Sequence, residues 1–541
     1  MLSRARHVEN TIILCFSLFG LLGILHHEMW RDELQAWMLA RDSTSIINLI
    51  QNMQYEGHPA LWHVCLYGLS QITHNPLIMQ VFHLGISIGI VCLIAKFSPF
   101  SILHKFLLSS SYFIFFEYTL ISRNYNMGIF FLFLFCVIYT HSYKNYLLLS
   151  ITLALAANTN IYALIVSVIL AIFLVYEGFQ SGKFHLPLPL KLLASAFIFS
   201  FGGLVSALQI LRVVILKLST TSSIHNLPIL NGQDLGTTSQ VTKLDMVSAF
   251  FQDFKLVVDA INSIWHSYIP FPRMFDLHFW NRNILTFDPA IASPFGISGE
   301  ELLACAFSLV LFGLAAYYFS QQRLIFWLYV FGNFILLSFI QLLLSVYDKP
   351  YARHYGYLFI FFIICLWLFN SSPVKFGSDV TAVQKSFRPK VAFYFITMIL
   401  LIQATAGVYA VSMDYLFAFS NSKDTASFIA KKGFQEATII GSQYRNVSVV
   451  SGYLDQPIYY PELQQFGTFW TRGFPEIEEE QLLNEVEAQT NSVEDQTILL
   501  VLTKPLSIKA TDITITQVAQ FNHSIVPDEN FYLYTAQRLS R

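Results

Sequence analysis

The chain has 541 residues, of which 55% are hydrophobic and 12% charged, with a formal net charge of -2 at pH 7. Soluble domains carry about 25% charged residues, so this composition excludes a protein folded around a single aqueous core. The lack of a Lys/Arg block excludes the electrostatic footprint of nucleic-acid binding. The six cysteines, Cys15, Cys65, Cys92, Cys136, Cys305 and Cys365, lie in apolar or amphipathic stretches without paired metal-ligand spacing. They read as small hydrophobes, not as a disulfide framework or a zinc site.

A hydrocarbon layer is crossed by about 20 apolar helical residues. Apolar runs near that length predict helices over 11–27, 77–95, 103–120, 127–140, 146–158, 161–177, 191–211, 300–319, 324–346, 356–370 and 391–412, about eleven in all. Arg4 and Arg6 precede the first run without a small-x-small cleavage site after it, which predicts an uncleaved signal anchor. Lys96 and Lys105, Lys144, Lys183 and Lys191, Arg323, Lys375, Lys385, Arg388 and Lys390 fall in alternate connections, which are expected to be cytoplasmic together with the N-terminus. Arg212 and Lys217 depart from that rule. The outer face is then expected to hold 26–76, the SRNYN turn at 122–126, the stretch 213–299, the YDKPYARHYGY loop and everything after about 412. From 413 onward polar residues return. The runs ATIIGS, QTILLVLT, ITITQVAQF and FYLYTAQ alternate with helical stretches, predicting a soluble α/β domain over 413–541 on the outer side, behind a transmembrane part over 1–412.

Chemistry concentrates in the first outer loop. In HHEMWRDELQAWMLARD, Trp30, Leu34, Trp37 and Met38 share one face of a predicted helix, while Asp32, Gln35 and Asp42 lie on another side. The tryptophans predict a helix lying along the membrane interface. Asp32 and Glu33 are about 100° apart on it, so one of them, Asp32, faces a reaction centre and Glu33 stands behind it. A plain polar face complementing the helix dipole is the competing reading. Downstream, YEGHPALWHVCLYGL places Pro59 to open a helix, with Glu56, His58 and His63 near its start. Carboxylates and imidazoles suit acid–base work or a divalent metal, and whether a metal takes part stays open.

WRDELQAWMLARD followed by EGHPALWHVCLYGL resembles the first outer loop of the GT-C fold glycosyltransferases, especially the branch of the protein O-mannosyltransferases and the lipid A aminoarabinose transferase. The family's Asp-Glu pair falls on Asp32 and Glu33. Its His-Pro-Pro-Leu-like stretch falls on His58, Pro59, Ala60 and Leu61, with Ala60 in place of the second proline. The resemblance implies a polytopic α-helical membrane enzyme with an outer soluble domain, in a bacterial inner membrane. It also implies a polyprenyl-phosphate-linked sugar as donor and a lipid, glycan or protein as acceptor. A base carboxylate, Asp32, would deprotonate an acceptor hydroxyl that attacks the sugar C1 with inversion. The leaving phosphate needs a cation in a partly dry site, and Arg353 presents a suitable planar fork, with Lys349 and His354 close by and Tyr355 completing an Arg-Tyr-like pair. Arg123 is a second phosphate or sugar contact, and Glu56, His58 and Tyr355 are expected to meet substrate.

Glu117, inside an apolar run, is costly unless paired, so an ion pair with Arg123 or another cation is expected. The aromatic stretches SYIPFPRMFDLHFWNRN, with Arg273, Asp276 and His278, and GYLDQPIYYPELQQFGTFWTRG suit either sugar binding or anchoring. A transporter or flippase is the main alternative, but it predicts charges near the middle of several spans and repeated halves. Here charge gathers in the outer loops and no repeat is visible. A membrane scaffold is the third reading.

Overall fold

The computed structural model describes residues 2–140, 145–182, 189–225, 243–285, 297–347, 351–371, 382–471, 477–492, 497–507 and 513–538. Eight described helices are long and apolar enough to cross a membrane: Ala5–His26, Leu77–Phe97, Ile161–Gln180, Leu190–Arg212, Gly299–Phe319, Arg323–Ser345, Ala352–Ser371 and Lys390–Leu416. Two shorter apolar helices, Tyr125–Thr140 and Tyr146–Ala157, pack among them. The segment expected over 103–120 is broken. Ile102–Ser109 is α-helical and Tyr112–Leu120 is a π-helix, with Ser111 Oγ accepting the Ile114 N–H at the restart. The π-helix leads straight into the SRNYN turn. Lys144, Lys183, Lys349 and Lys375 lie outside the described residues.

Ala352–Ser371 is the central pillar, with Tyr357 through Leu368 each no more than 1% exposed. Neighbouring chains press against it closely enough that a Cβ on Gly356 would sit 2.3 Å from the Tyr118 hydroxyl. Glycine is therefore the residue that lets the π-helix lie against the first turn of this span, where Arg353 sits.

The soluble part builds one six-stranded sheet from β1 (Thr438–Gly441), β2 (Ile458–Tyr460), β3 (Gln465–Gly467), β4 (Ile498–Leu502), β5 (Ile513–Phe521) and β6 (Phe531–Arg538). Its order is β3-β2-β1-β4-β6-β5. β1 runs parallel to β2 and β4, with Thr438 opposite Ile498, and the other pairs are antiparallel. All five residues of β4 are buried, as its continuous apolar run ILLVL requires of a central strand.

The helix Arg31–Arg41 lies between the bundle and this sheet, and all eleven of its residues are buried. Here the expectation of a lipid-interface helix is corrected: Leu34, Trp37 and Met38 pack with Val447, Val450 and Leu454 of the helix Tyr444–Leu454, so its apolar face meets protein instead of bilayer. A Cβ on Gly452 would already be 3.2 Å from Leu34, so the two helices cross at a bare backbone position.

Candidate functional site

The site is assembled on the first turn of Arg31–Arg41. Asp32, 7% exposed, receives Arg353 NH2 at 3.1 Å and Arg123 NH1 at 3.6 Å on the same Oδ2. The Arg123 guanidinium also donates to the Asp32 carbonyl. Burial pushes the Asp32 carboxyl towards its neutral form, but Arg123, Arg353, Arg31 and Arg445 together outweigh it and hold the group below the usual carboxylate range. Arg353 is 9% exposed and lies between the rings of Trp30, at 5.3 Å, and Tyr351, at 4.6 Å. Among the described residues its Nε and Nη1 have no hydrogen-bond partner. A buried guanidinium with two unmade bonds loses roughly 1–3 kcal/mol for each donor left dry. It also stands in the first turn of a helix, where the macrodipole disfavours a cation.

Glu33 faces the opposite way. Its Oε2 accepts the Trp30 N–H at 3.2 Å and lies 3.2 Å from His27 Nε2, while Oε1 accepts the Ser122 N–H at 2.5 Å. His27 Nδ1 in turn lies 3.0 Å from Asp414 Oδ2. Burial favours the neutral imidazole, yet Asp414 and Glu33 overcome it and raise His27 to about 10. The imidazolium therefore bridges the first span, the site helix and the entry to the soluble domain. Through these contacts Glu33 ties the start of its helix to His27 and to the SRNYN turn.

The loop after the short helix Ile46–Asn52 and the 3₁₀ turn Met53–Tyr55 brings Glu56 and His58 to the same cluster. Glu56 is partly exposed. Burial, with Asp32 nearby, raises its carboxyl against the pull of Arg123. His58 Nε2 lies 3.2 Å from the Tyr125 hydroxyl. Burial and then Arg123 and Arg353 keep His58 neutral. His63 is driven to about 3 by burial and Arg123, and among the described residues neither of its ring nitrogens has a partner. His354 stacks on Tyr162 at 5.5 Å, beside Tyr125 at 6.4 Å. Among the described residues no group of three His, Cys, Asp or Glu side chains is gathered to hold a metal ion. Two residues along the chain from His58, Ala60 joins Leu155 and Phe201 in the walls of an apolar groove of about 410 Å³ between Tyr146–Ala157 and Leu190–Arg212.

Asp32, Arg123, Arg353, Glu56, His58 and His354 are thus brought together. Tyr355 is not: it packs edge-on to Phe113 and over His266, in the aromatic layer below. Lys349 lies outside the described residues. The expected ion pair of Glu117 is corrected. Its Oε2 accepts the Trp280 indole N–H at 3.0 Å and the Tyr112 hydroxyl at 3.4 Å, and among the described residues no cation pairs with it. Trp280, which also meets Trp30 edge-on at 4.7 Å, and Asn281, which accepts the Ala352 N–H at 2.8 Å, give the SYIPFPRMFDLHFWNRN stretch a bracing role beside Arg353.

Sequence reasoning missed Trp30, Tyr125 and Tyr351 around the guanidiniums, and the reach of the soluble domain. Arg31 NH1 donates to Asp528 at 2.7 Å and to Asn446 at 3.2 Å, and its backbone N–H donates to Glu529 at 3.0 Å. Gln35 holds the backbone of Trp470 through two reciprocal bonds of 2.9 and 3.0 Å, with Arg445 stacked over the Trp470 ring at 5.8 Å. Gln35 was legible as the residue one helical turn after Asp32; its partner, some 435 positions away, was not.

No protein-family model and no curated protein matches the chain. Among solved structures it is similar to the crystal structure of ArnT from Cupriavidus metallidurans bound to undecaprenyl phosphate. That likeness has 11% identity and a TM-score of 0.43, over 97% of each chain.

Proposed function

We propose that this protein is an integral membrane glycosyltransferase that moves a sugar from a polyprenyl-phosphate carrier to an acceptor hydroxyl on the extracytoplasmic side, with inversion at C1. In this reading it resides in a bacterial inner membrane, with its N-terminus in the cytoplasm and the soluble domain outside. The observation that carries the reading is Arg353: a buried guanidinium in the first turn of a span, paired to Asp32, with two donors that have no hydrogen-bond partner among the described residues. Arg353 and Arg123 then bind the phosphate and stabilise the charge that develops as the C1–O bond breaks. The apolar groove walled by Ala60, Leu155 and Phe201 suits an isoprenoid tail, and the Asp-Glu and His-Pro motifs of the sequence agree with this use.

The test is transfer of label from radioactive polyprenyl-phosphate sugars to envelope acceptors by purified full-length protein. A covalent labelled product is expected. Label that stays on the carrier, or that only crosses a vesicle membrane, rejects the enzyme in favour of a flippase or a scaffold.

A further inference from the structure

We infer that His83 is a positioning residue for the phosphate site: its ring clasps the turn that carries Arg123 and so sets where that guanidinium meets a polyprenyl phosphate. The inference deepens the transferase reading above and rests on its assignment of Arg123.

His83 stands in the second turn of the span Leu77–Phe97, is 0% exposed, and has the Trp62 ring edge-on at 5.7 Å. An ionisable ring within a span is costly unless it has partners. Its partners are two backbone carbonyls of one short segment. Nδ1 is 3.1 Å from the Thr119 oxygen, and Nε2 is 3.0 Å from the Arg123 oxygen. The π-helix Tyr112–Leu120 ends between these residues, and carbonyls at a helix end need donors from elsewhere. A carbonyl oxygen only accepts, so whichever ring nitrogen carries the proton donates, and either tautomer holds one end of the segment.

The backbone of His83 adds a third grip. Its carbonyl accepts the Asn126 amide at 3.2 Å and the Ser87 hydroxyl at 3.1 Å, and the Asn126 amide also donates to Ser87 Oγ at 2.8 Å. One residue of this span therefore takes hold of the SRNYN turn just before it begins, at Arg123, and at its last residue.

The remaining contacts of the turn show what this grip achieves. The Ser122 N–H donates to Glu33 Oε1 at 2.5 Å, and the Arg123 guanidinium donates to the Asp32 carbonyl and lies 3.6 Å from Asp32 Oδ2. Arg123 is thus fixed at its backbone from the span and at its tip from the site helix. A long side chain anchored only at its tip keeps rotamer freedom that ligand binding must then remove. Misplacing such a group by about 1 Å can cost as much as about 100-fold in rate.

The test is a double-mutant cycle on purified full-length protein in detergent, read as the Kd for radiolabelled polyprenyl phosphate, with the thermal midpoint measured in parallel. His83→Met keeps the bulk and removes both ring nitrogens, and is expected to raise Kd about 10-fold. His83→Gln keeps an amide N–H for one carbonyl and is expected to fall between the wild type and His83→Met. In the Arg123→Ala background neither substitution should raise Kd further, because the guanidinium that His83 places is gone. A packing role alone would lower the thermal midpoint in both backgrounds and leave the Kd effects additive. An unchanged Kd in His83→Met, a rise that persists in full on top of Arg123→Ala, or a wild-type Kd in Arg123→Ala itself overturns the inference and leaves the transferase standing. Should His83→Met not fold, His83→Gln decides the matter through the same cycle. A wild type that does not bind polyprenyl phosphate overturns both.

Discussion

Arg353 shows how a single residue reports function through the costs that surround it. Two rings flank it, Asp32 pairs with it, and two of its donors have no hydrogen-bond partner among the described residues. Removing one member of a buried charged pair costs about 2–5 kcal/mol. Arg353→Ala is therefore expected to raise the Kd for labelled polyprenyl phosphate by at least about 30-fold, equivalent to about 2 kcal/mol, measured by binding to the detergent-solubilised protein. Arg353→Lys should recover little of this, because an ammonium cannot reproduce the planar fork. An unchanged Kd in both variants removes Arg353 from the phosphate site. This residue was legible in the sequence because an arginine heading an apolar run is conspicuous. Trp30 and Tyr351 were not, since tryptophan and tyrosine beside a span read equally well as interface anchors.

At the scale of the element, the helix Arg31–Arg41 is held by its own first turn. Glu33 ties Trp30, Ser122 and His27 together, and His27 carries the tie to Asp414 at the end of the last span. His27→Ala leaves two buried carboxylates without their cation, and a loss of about 3–5 kcal/mol is expected, read as a lower thermal midpoint in detergent. The sign of the pH dependence follows from the raised value. The imidazolium's contribution is complete below the ordinary histidine value of about 6.5 and disappears as pH rises towards about 10. The wild-type midpoint should therefore fall through that alkaline interval, and more steeply than that of His27→Ala; parallel curves would show that His27 is not the charged link. Periodicity placed this helix and its two faces correctly. What covers those faces was not legible, because an apolar stripe specifies burial without specifying the partner.

The whole molecule closes over its site from two sides. The bundle presents Arg353 and Arg123, while the sheet domain clamps the site helix through Arg31 with Asp528, Gln35 with Trp470, and Arg41 with Asp455 at 3.0 Å. Because Leu34 packs on the bare backbone of Gly452, Gly452→Val should wedge the two apart at a cost of about 1–3 kcal/mol. The expected outcome is a lower thermal midpoint and slower transfer, with donor binding nearly intact. Unchanged transfer would mean that the soluble domain is independent of the chemistry.

By itself the sequence determined that this chain lives in a bilayer, where its apolar runs lie and that an α/β domain follows them, and it pointed to Asp32, Glu56, His58 and Arg353 as candidate site residues. Composition and periodicity are local properties, and the need to bury apolar surface expresses them wherever the chain goes. Only the tertiary structure decided which charges meet. It paired Arg123 with Asp32 instead of Glu117, turned Glu33 into a brace, and brought residues beyond 440 onto a helix that begins at Arg31. Those outcomes depend on distances of a few ångströms between segments hundreds of residues apart. Electrostatic energy at that range is set by geometry and burial, and neither is written in the order of the residues.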